Sequence, residues 1–125
     1  MIKYKAIARK QPGTTEGPVK YYASTVLDGE VGLLELCQEI EKTSTVSEAD
    51  IMAVLTSLVS VIPDKLTQSK IVRLGDLGSF RPSIGSNGVE TEEEVNKSTI
   101  KSNKVIFTPG KRVSKAMKAA DYKKA

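Results

Sequence analysis

The chain has 125 residues, 39% of them hydrophobic, with no Trp, no His and one cysteine. That is the size of a single domain with a thin core, which favours help from a partner subunit. The missing histidines exclude imidazole acid/base catalysis and imidazole metal ligation, and Cys37 alone allows no intramolecular disulfide. With 19 Lys and Arg against 15 Asp and Glu, the net charge of +4 favours a polyanion, either nucleic acid or an anionic membrane surface.

Residues Ile2 to Arg9 alternate, with Ile2, Tyr4, Ala6 and Ala8 on one face and Lys3, Lys5, Ile7 and Arg9 on the other. This predicts a strand with a mostly basic outer face. Lys10 to Pro18 is rich in Pro, Gly and Thr and reads as a loop. Val19 to Val26 is β-branched and aromatic, a second strand able to pair with the first as a hairpin. No apolar h-region opens the chain, and no apolar run is long enough to span a bilayer. A cytoplasmic location and no membrane partner are therefore expected.

After Asp28-Gly29, Val31 to Lys42 carries Leu33, Leu36, Cys37 and Ile40 at helical spacing, with Cys37 read as a small packed hydrophobe. Ser47 to Asp50 has the form of a capping box, with Asp50 in place of the preferred Glu. It opens a second helix in which Ile51, Val54, Leu55, Leu58, Val59 and Ile62 form an apolar stripe too wide for one small core. Pro63 is expected to end or kink that helix, although the pattern resumes briefly to Leu66.

Lys70 to Leu74 reads as a strand, Gly75 to Gly78 as a turn, and Ser79 to Ile84 as a strand in which Pro82 argues for an edge or a break in pairing. Gly85 to Gly88 reads as a loop, Glu90 to Val95 as an acidic run, and Thr99 to Phe107 as a returning strand. Pro109-Gly110 opens a last helix, with Val113, Ala116 and Met117 inside and Lys111, Arg112, Lys115 and Lys118 outside. The polar tail DYKKA is expected to fray. No internal repeat or linker divides the chain.

Two motifs then carry a resemblance. Val72-Arg73-Leu74-Gly75-Asp76-Leu77-Gly78-Ser79-Phe80 is similar to the short Gly-Phe-Gly hairpin of the bacterial HU/IHF histone-like family. Phe107-Thr108-Pro109-Gly110-Lys111 resembles that family's Phe-x-Pro-Gly-Lys entry into its C-terminal helix. The two-helix segment precedes both in the family's order. The resemblance begins near Gly29 and covers three quarters of the chain. It implies an α+β fold: an intertwined dimer of a two-helix segment, a β-sheet with a β-ribbon arm, and a C-terminal helix. Residues 29–125 would be this core and residues 1–28 an added N-terminal hairpin within one domain. The dimer core would be built from Ile51, Val54, Leu55, Leu58, Val59, Ile62, Phe80 and Phe107; a monomer with a central second helix is the alternative.

The resemblance further implies sequence-tolerant binding of double-stranded DNA by a nucleoid-associated homodimer, with no cofactor, metal, small-molecule substrate or catalytic residue. The candidate phosphate contacts are Arg73 and Arg81 on the hairpin, Lys97, Lys101 and Lys104 on the returning strand, and Gly110, Lys111, Arg112, Lys115 and Lys118 at the last helix. Lys101 and Lys104 are an odd number of residues apart, so a regular strand would place them on opposite faces. The departures also carry information. Asp76, Leu77 and Thr108 replace the family's Gly, Phe and basic residue. The arm lacks an Arg-Asn-Pro tip, and Pro82 near its base reads as protection of an edge strand in preference to an intercalating wedge. Glu90, Glu92, Glu93 and Glu94 would be repelled by phosphate, which argues against intercalation and sharp bending. Two other readings follow: a dimeric protein-interaction scaffold that has lost arm-mediated DNA bending, and an RNA binder using Tyr21, Tyr22 and the basic first strand. The hairpin's face of Ile2, Tyr4 and Ala6 needs apolar cover, so the hairpin reads as a structural cap.

Overall fold

The computed structural model describes residues 1–10, 13 and 17–125. Of the expected loop, Gln11, Pro12 and Thr14 to Glu16 lie outside the described residues. The chain divides into two compact units, residues 1–31 with 116–125, and residues 32–115. Together they hold three α-helices and two three-stranded sheets among the described residues.

In the first unit, β1 (Ile2–Arg9) and β2 (Lys20–Thr25) pair antiparallel, with Tyr4 opposite Thr25 and Arg9 opposite Lys20. The expected hairpin is present. The expectation for the tail is overturned: Tyr122–Lys124 forms a strand, β6 (β3 to β5 belong to the other unit), lying parallel to β1 with Ile2 opposite Tyr122. The Ile2 amide donates to the Asp121 carbonyl and the Ala125 amide to the Tyr4 carbonyl, both at 2.8 Å. The free edge of β1 thus captures a tail whose three residues are too few to show a pattern. Ile2 and Tyr4 of the apolar face line a shallow cavity of about 380 Å³ with Ala23, Thr25 and Tyr122.

The second unit opens with α1 (Leu33–Lys42) and α2 (Glu48–Leu66). Ser47 caps α2, its hydroxyl accepting from the Asp50 amide at 3.3 Å, as the capping box predicts. Pro63 does not end α2, which runs on to Leu66, as far as the apolar pattern resumes. A proline removes one amide and crowds the preceding turn, and three further residues close the final turn, with the Thr67 amide donating to the Pro63 carbonyl at 3.0 Å. Cys37 is fully buried and its Sγ donates to the Glu48 carbonyl at 3.1 Å, tying α1 to the start of α2. Burial pushes the Cys37 thiol up from its ordinary pKa, and the charges of Glu48 and Glu41 push the same way. The stripe of α2 is mostly uncovered: Ile51 is buried, but Val54 and Val59 are 61% and 59% exposed.

The second sheet runs β3 (Val72–Arg73), β4 (Gly78–Ser86), β5 (Ile100–Pro109). β3 is shorter than predicted, and Gly75–Leu77 forms a 3-10 turn instead of a simple reversal. β4 continues through Gly85 to Ser86, where a loop was expected. β4 is the middle strand, yet β3 reaches only Ser79 and Phe80, so at Pro82 it has one partner and is locally an edge. That is where a residue without an amide is tolerated. Phe80 and Phe107 face each other with ring centroids 5.0 Å apart. α3 (Lys111–Ala119) follows β5, its residues 111–115 in the second unit and 116–119 in the first.

Candidate nucleic-acid interface

The register of β3, β4 and β5 decides which cations meet. Arg73 lies opposite Ser79, Arg81 opposite Ile106 and Ser83 opposite Lys104. Residues directly opposite share a face and alternate residues repeat it. Arg73, Arg81 and Lys104 therefore project from one face, along with Ser79, Ser83, Ser102, Thr108 and one apolar residue, Ile106. The other face is apolar, with Val72, Phe80, Pro82, Ile84, Val105 and Phe107.

Lys101 joins the basic face, contrary to the odd-spacing argument. The pairing shifts from Gly85–Ser102 to Ser86–Ile100, which leaves Lys101 as the extra residue of a β-bulge. Two residues then oppose one. A Cβ at Gly85 would lie 2.7 Å from the Ser102 Oγ and 3.7 Å from the Lys101 Cε, so both side chains lean over the space that glycine leaves. Lys97 is not brought into this row. It sits beyond the strand in a short 3-10 turn, Lys97–Thr99, where the Ser98 amide donates to the Asn96 Oδ1 at 2.8 Å and the buried Thr99 hydroxyl donates to the Asn96 carbonyl at 2.7 Å. Glu92–Glu94 forms another turn at the same end, with the glutamates exposed. The ribbon is cationic along one face and acidic at its far end.

Gly110 also makes a close approach within the protein itself. Its amide donates to the Leu77 carbonyl at 3.0 Å. A Cβ there would lie 2.3 Å from the Asp76 carbonyl oxygen and 2.8 Å from the Gly78 amide nitrogen. The close approach is to the protein's own turn, and it seats the start of α3 beside the hairpin. The result is a cleft of about 240 Å³ lined by Arg73, Gly75, Gly78, Ser79, Thr108, Pro109 and Gly110. Lys111, Arg112 and Lys115 are exposed on the first two turns of α3, and Lys118 continues the same helical stripe. The first amides of a helix lack intrahelical partners and favour anions.

Ion pairs among the described residues join Lys3 to Asp28, Lys42 to Glu39 and Lys65 to Asp64, so none of these candidate cations is held by a carboxylate. The hydroxyls of Ser79, Ser83, Ser102 and Thr108 were missed as candidates. The period-two spacing of Ser79, Arg81 and Ser83 was their signal. No group of acids and cysteine suited to a metal occurs among the described residues, and no helix there is long and apolar enough to cross a membrane.

These elements define an HU-like α+β domain. The chain belongs to the family described as HU domain fused to wHTH, Ig, or Glycine-rich motif, which it matches over residues 1–124, a stretch that includes the N-terminal hairpin. It is similar in fold to a crystal structure described as a "Putative bacterial DNA binding protein" from Bacteroides vulgatus ATCC 8482, with a TM-score of 0.67 and 15% identity. The similarity covers 98% of this chain and 48% of that one, so this chain spans about half the length of its structural relative. No curated protein matches the sequence.

Proposed function

We propose that this protein is a nucleoid-associated, architectural binder of double-stranded DNA that acts as a homodimer and grips phosphates without reading bases. The observation that carries the reading is the row of Arg73, Arg81, Lys101 and Lys104 on one sheet face, exposed and with no ion pair to a carboxylate among the described residues, beside the cationic start of α3. Lys and Arg in such a row displace condensed counterions from DNA, and neighbouring hydroxyls hydrogen-bond phosphate oxygens. Membership of an HU-type family supports this, as does a structural relative described as DNA-binding. A cytoplasmic location follows from that role. We read no catalytic activity, because the chain lacks histidine and the carboxylates of the described residues lie on solvated surface.

The dimer is favoured by the uncovered stripe of α2. Val54 and Val59 are more than half exposed and Leu58 over a third, and burying each against a second copy would contribute about 1 kcal/mol or more. Residues 1–28 are read as an addition to the HU-like core of 29–125, within one functional domain.

The test is fluorescence anisotropy with a duplex of arbitrary sequence across a salt series. Six or more phosphate contacts predict roughly a 10³-fold loss of affinity between 50 and 200 mM salt. No binding at 50 mM salt refutes the reading. One observation favours a second reading, a protein-interaction scaffold without arm-mediated bending: the ribbon's far end presents Glu92, Glu93 and Glu94 where a bending arm needs cations. It predicts a stable dimer with weak DNA affinity.

A further inference from the structure

The charge of the chain is unevenly placed. Residues 1–31 and 116–125 carry eight Lys and Arg against four Asp and Glu, while residues 32–115 carry eleven of each. The whole net charge of +4 belongs to the first unit, whose sheet the proposed duplex interface does not use.

The register collects five of those eight cations on one face. Lys5 lies opposite Ser24, Ile7 opposite Tyr22, Arg9 opposite Lys20 and Lys3 opposite Lys123. One face therefore carries Lys3, Lys5, Arg9, Lys20 and Lys123 around Tyr22 and Ile7, whereas the reverse face carries Ile2, Tyr4, Ala23 and Tyr122 with one cation, Lys124. Lys3 is paired with Asp28; Lys5, Arg9, Lys20 and Lys123 are exposed and have no ion pair among the described residues. Tyr22 is 48% exposed.

One of these pairings works against stability. Like charges directly opposite on neighbouring strands are destabilising, and Arg9 faces Lys20 with no ion pair to either among the described residues, whereas the other like pair, Lys3 and Lys123, has Asp28 beside Lys3. An anionic ligand would relieve the Arg9–Lys20 repulsion. From Lys3 to Arg9 the cations of β1 span six residue steps, about 20 Å, long enough to follow several phosphates of an extended strand. An aromatic ring among cations on an open sheet face is a stacking platform, and every base has a π-face to offer when it is unpaired.

We infer that the basic face of the β2–β1–β6 sheet is a binding surface for single-stranded nucleic acid, with Tyr22 stacking a base and Lys5, Arg9, Lys20 and Lys123 tracking the phosphodiester backbone. This goes beyond the duplex reading and does not rest on it. An anionic lipid surface suits the face less well, because its apolar side chains lie mostly on the reverse side.

The experiment measures anisotropy of a labelled single-stranded oligonucleotide of mixed sequence, a duplex of the same sequence, and co-sedimentation with vesicles of 30% anionic lipid. It uses the full chain and the variants Tyr22→Phe, Tyr22→Ala and Arg9→Ser/Lys20→Thr. Tyr22→Ala should lose about tenfold in single-strand affinity and Tyr22→Phe should restore it. Arg9→Ser/Lys20→Thr should lower the single-strand salt slope by about 1.4, at about 0.7 per lost contact, while its melting temperature holds or rises as the like-charge pair is removed. A melting temperature that falls together with affinity would assign Arg9 and Lys20 a structural role and overturn the proposal. So would equal single-strand affinity in parent and both non-conservative variants, or vesicle binding lost in those variants with single-strand binding intact. Lys111→Ala/Arg112→Ala/Lys115→Ala weakens duplex binding under the duplex reading and leaves Tyr22-dependent single-strand binding in place, so each idea fails separately.

Discussion

Gly110 is the position where the fold of the second unit can be tested most sharply. In Gly110→Ala the new methyl carbon would start 2.3 Å from the Asp76 carbonyl oxygen and 2.5 Å from its carbon, both backbone atoms that cannot rotate away. Relief requires the start of α3 to move about 1 Å from the Gly75–Leu77 turn, which strains or breaks the 3.0 Å bond from the Gly110 amide to the Leu77 carbonyl. The lost bond costs about 1 kcal/mol and the overpacking about 1–3 more. At about 4 °C per kcal/mol for a chain of this size, the melting temperature should fall by roughly 8–16 °C. The control is Gly88→Ala, which meets nothing within 4 Å and should stay within about 0.5 kcal/mol of the parent. Differential scanning calorimetry of the three proteins decides the matter. If Gly110→Ala melts within about 2 °C of the parent, the tight seating of α3 against the hairpin is wrong, and with it the placement of Lys111 and Arg112 beside Arg73.

Four further outcomes are expected. Replacing Glu92, Glu93 and Glu94 by Gln should raise duplex affinity about two- to fivefold at low salt, read by the same anisotropy titration; unchanged affinity would place the ribbon's far end away from DNA. Val54→Asp with Val59→Asp should convert a dimer to monomer in sedimentation equilibrium and lower the melting temperature by more than 10 °C; in a monomer the same exposed positions would accept Asp almost neutrally. Cys37 should react with iodoacetamide at pH 8 orders of magnitude more slowly in the native protein than in urea, because its buried thiol holds its proton. The pH dependence follows from the same shift. Since the folded protein binds that proton more tightly than the unfolded chain, the contribution is complete below the unfolded thiol pKa of about 8.5 and declines above it. The stability difference between parent and Cys37→Ala should therefore fall from pH 8 to pH 10, and a constant difference would refute the assignment.

Much of the architecture was legible in the sequence, because it follows from local physics. The period-two alternation of Ile2 to Arg9, the capping box at Ser47 and the Pro109-Gly110 entry to α3 each act within a few residues. The apolar stripe of α2 was equally visible, since helical spacing alone marks it. What the sequence could not determine were the consequences of pairing. The tail Tyr122–Lys124 is a strand only because β1 offers it an unpaired edge, a fact about a partner more than a hundred residues away. Pro82 is tolerated in a middle strand only because β3 stops at Arg73. The bulge at Lys101 depends on Gly85 across the ribbon, and it turns a lysine that periodicity assigns to the apolar face onto the basic one. The face of Lys5, Arg9, Lys20 and Lys123 exists only once register aligns three separate segments. Periodicity is written along the chain, whereas register, edges and bulges are properties of two chains of backbone lying side by side.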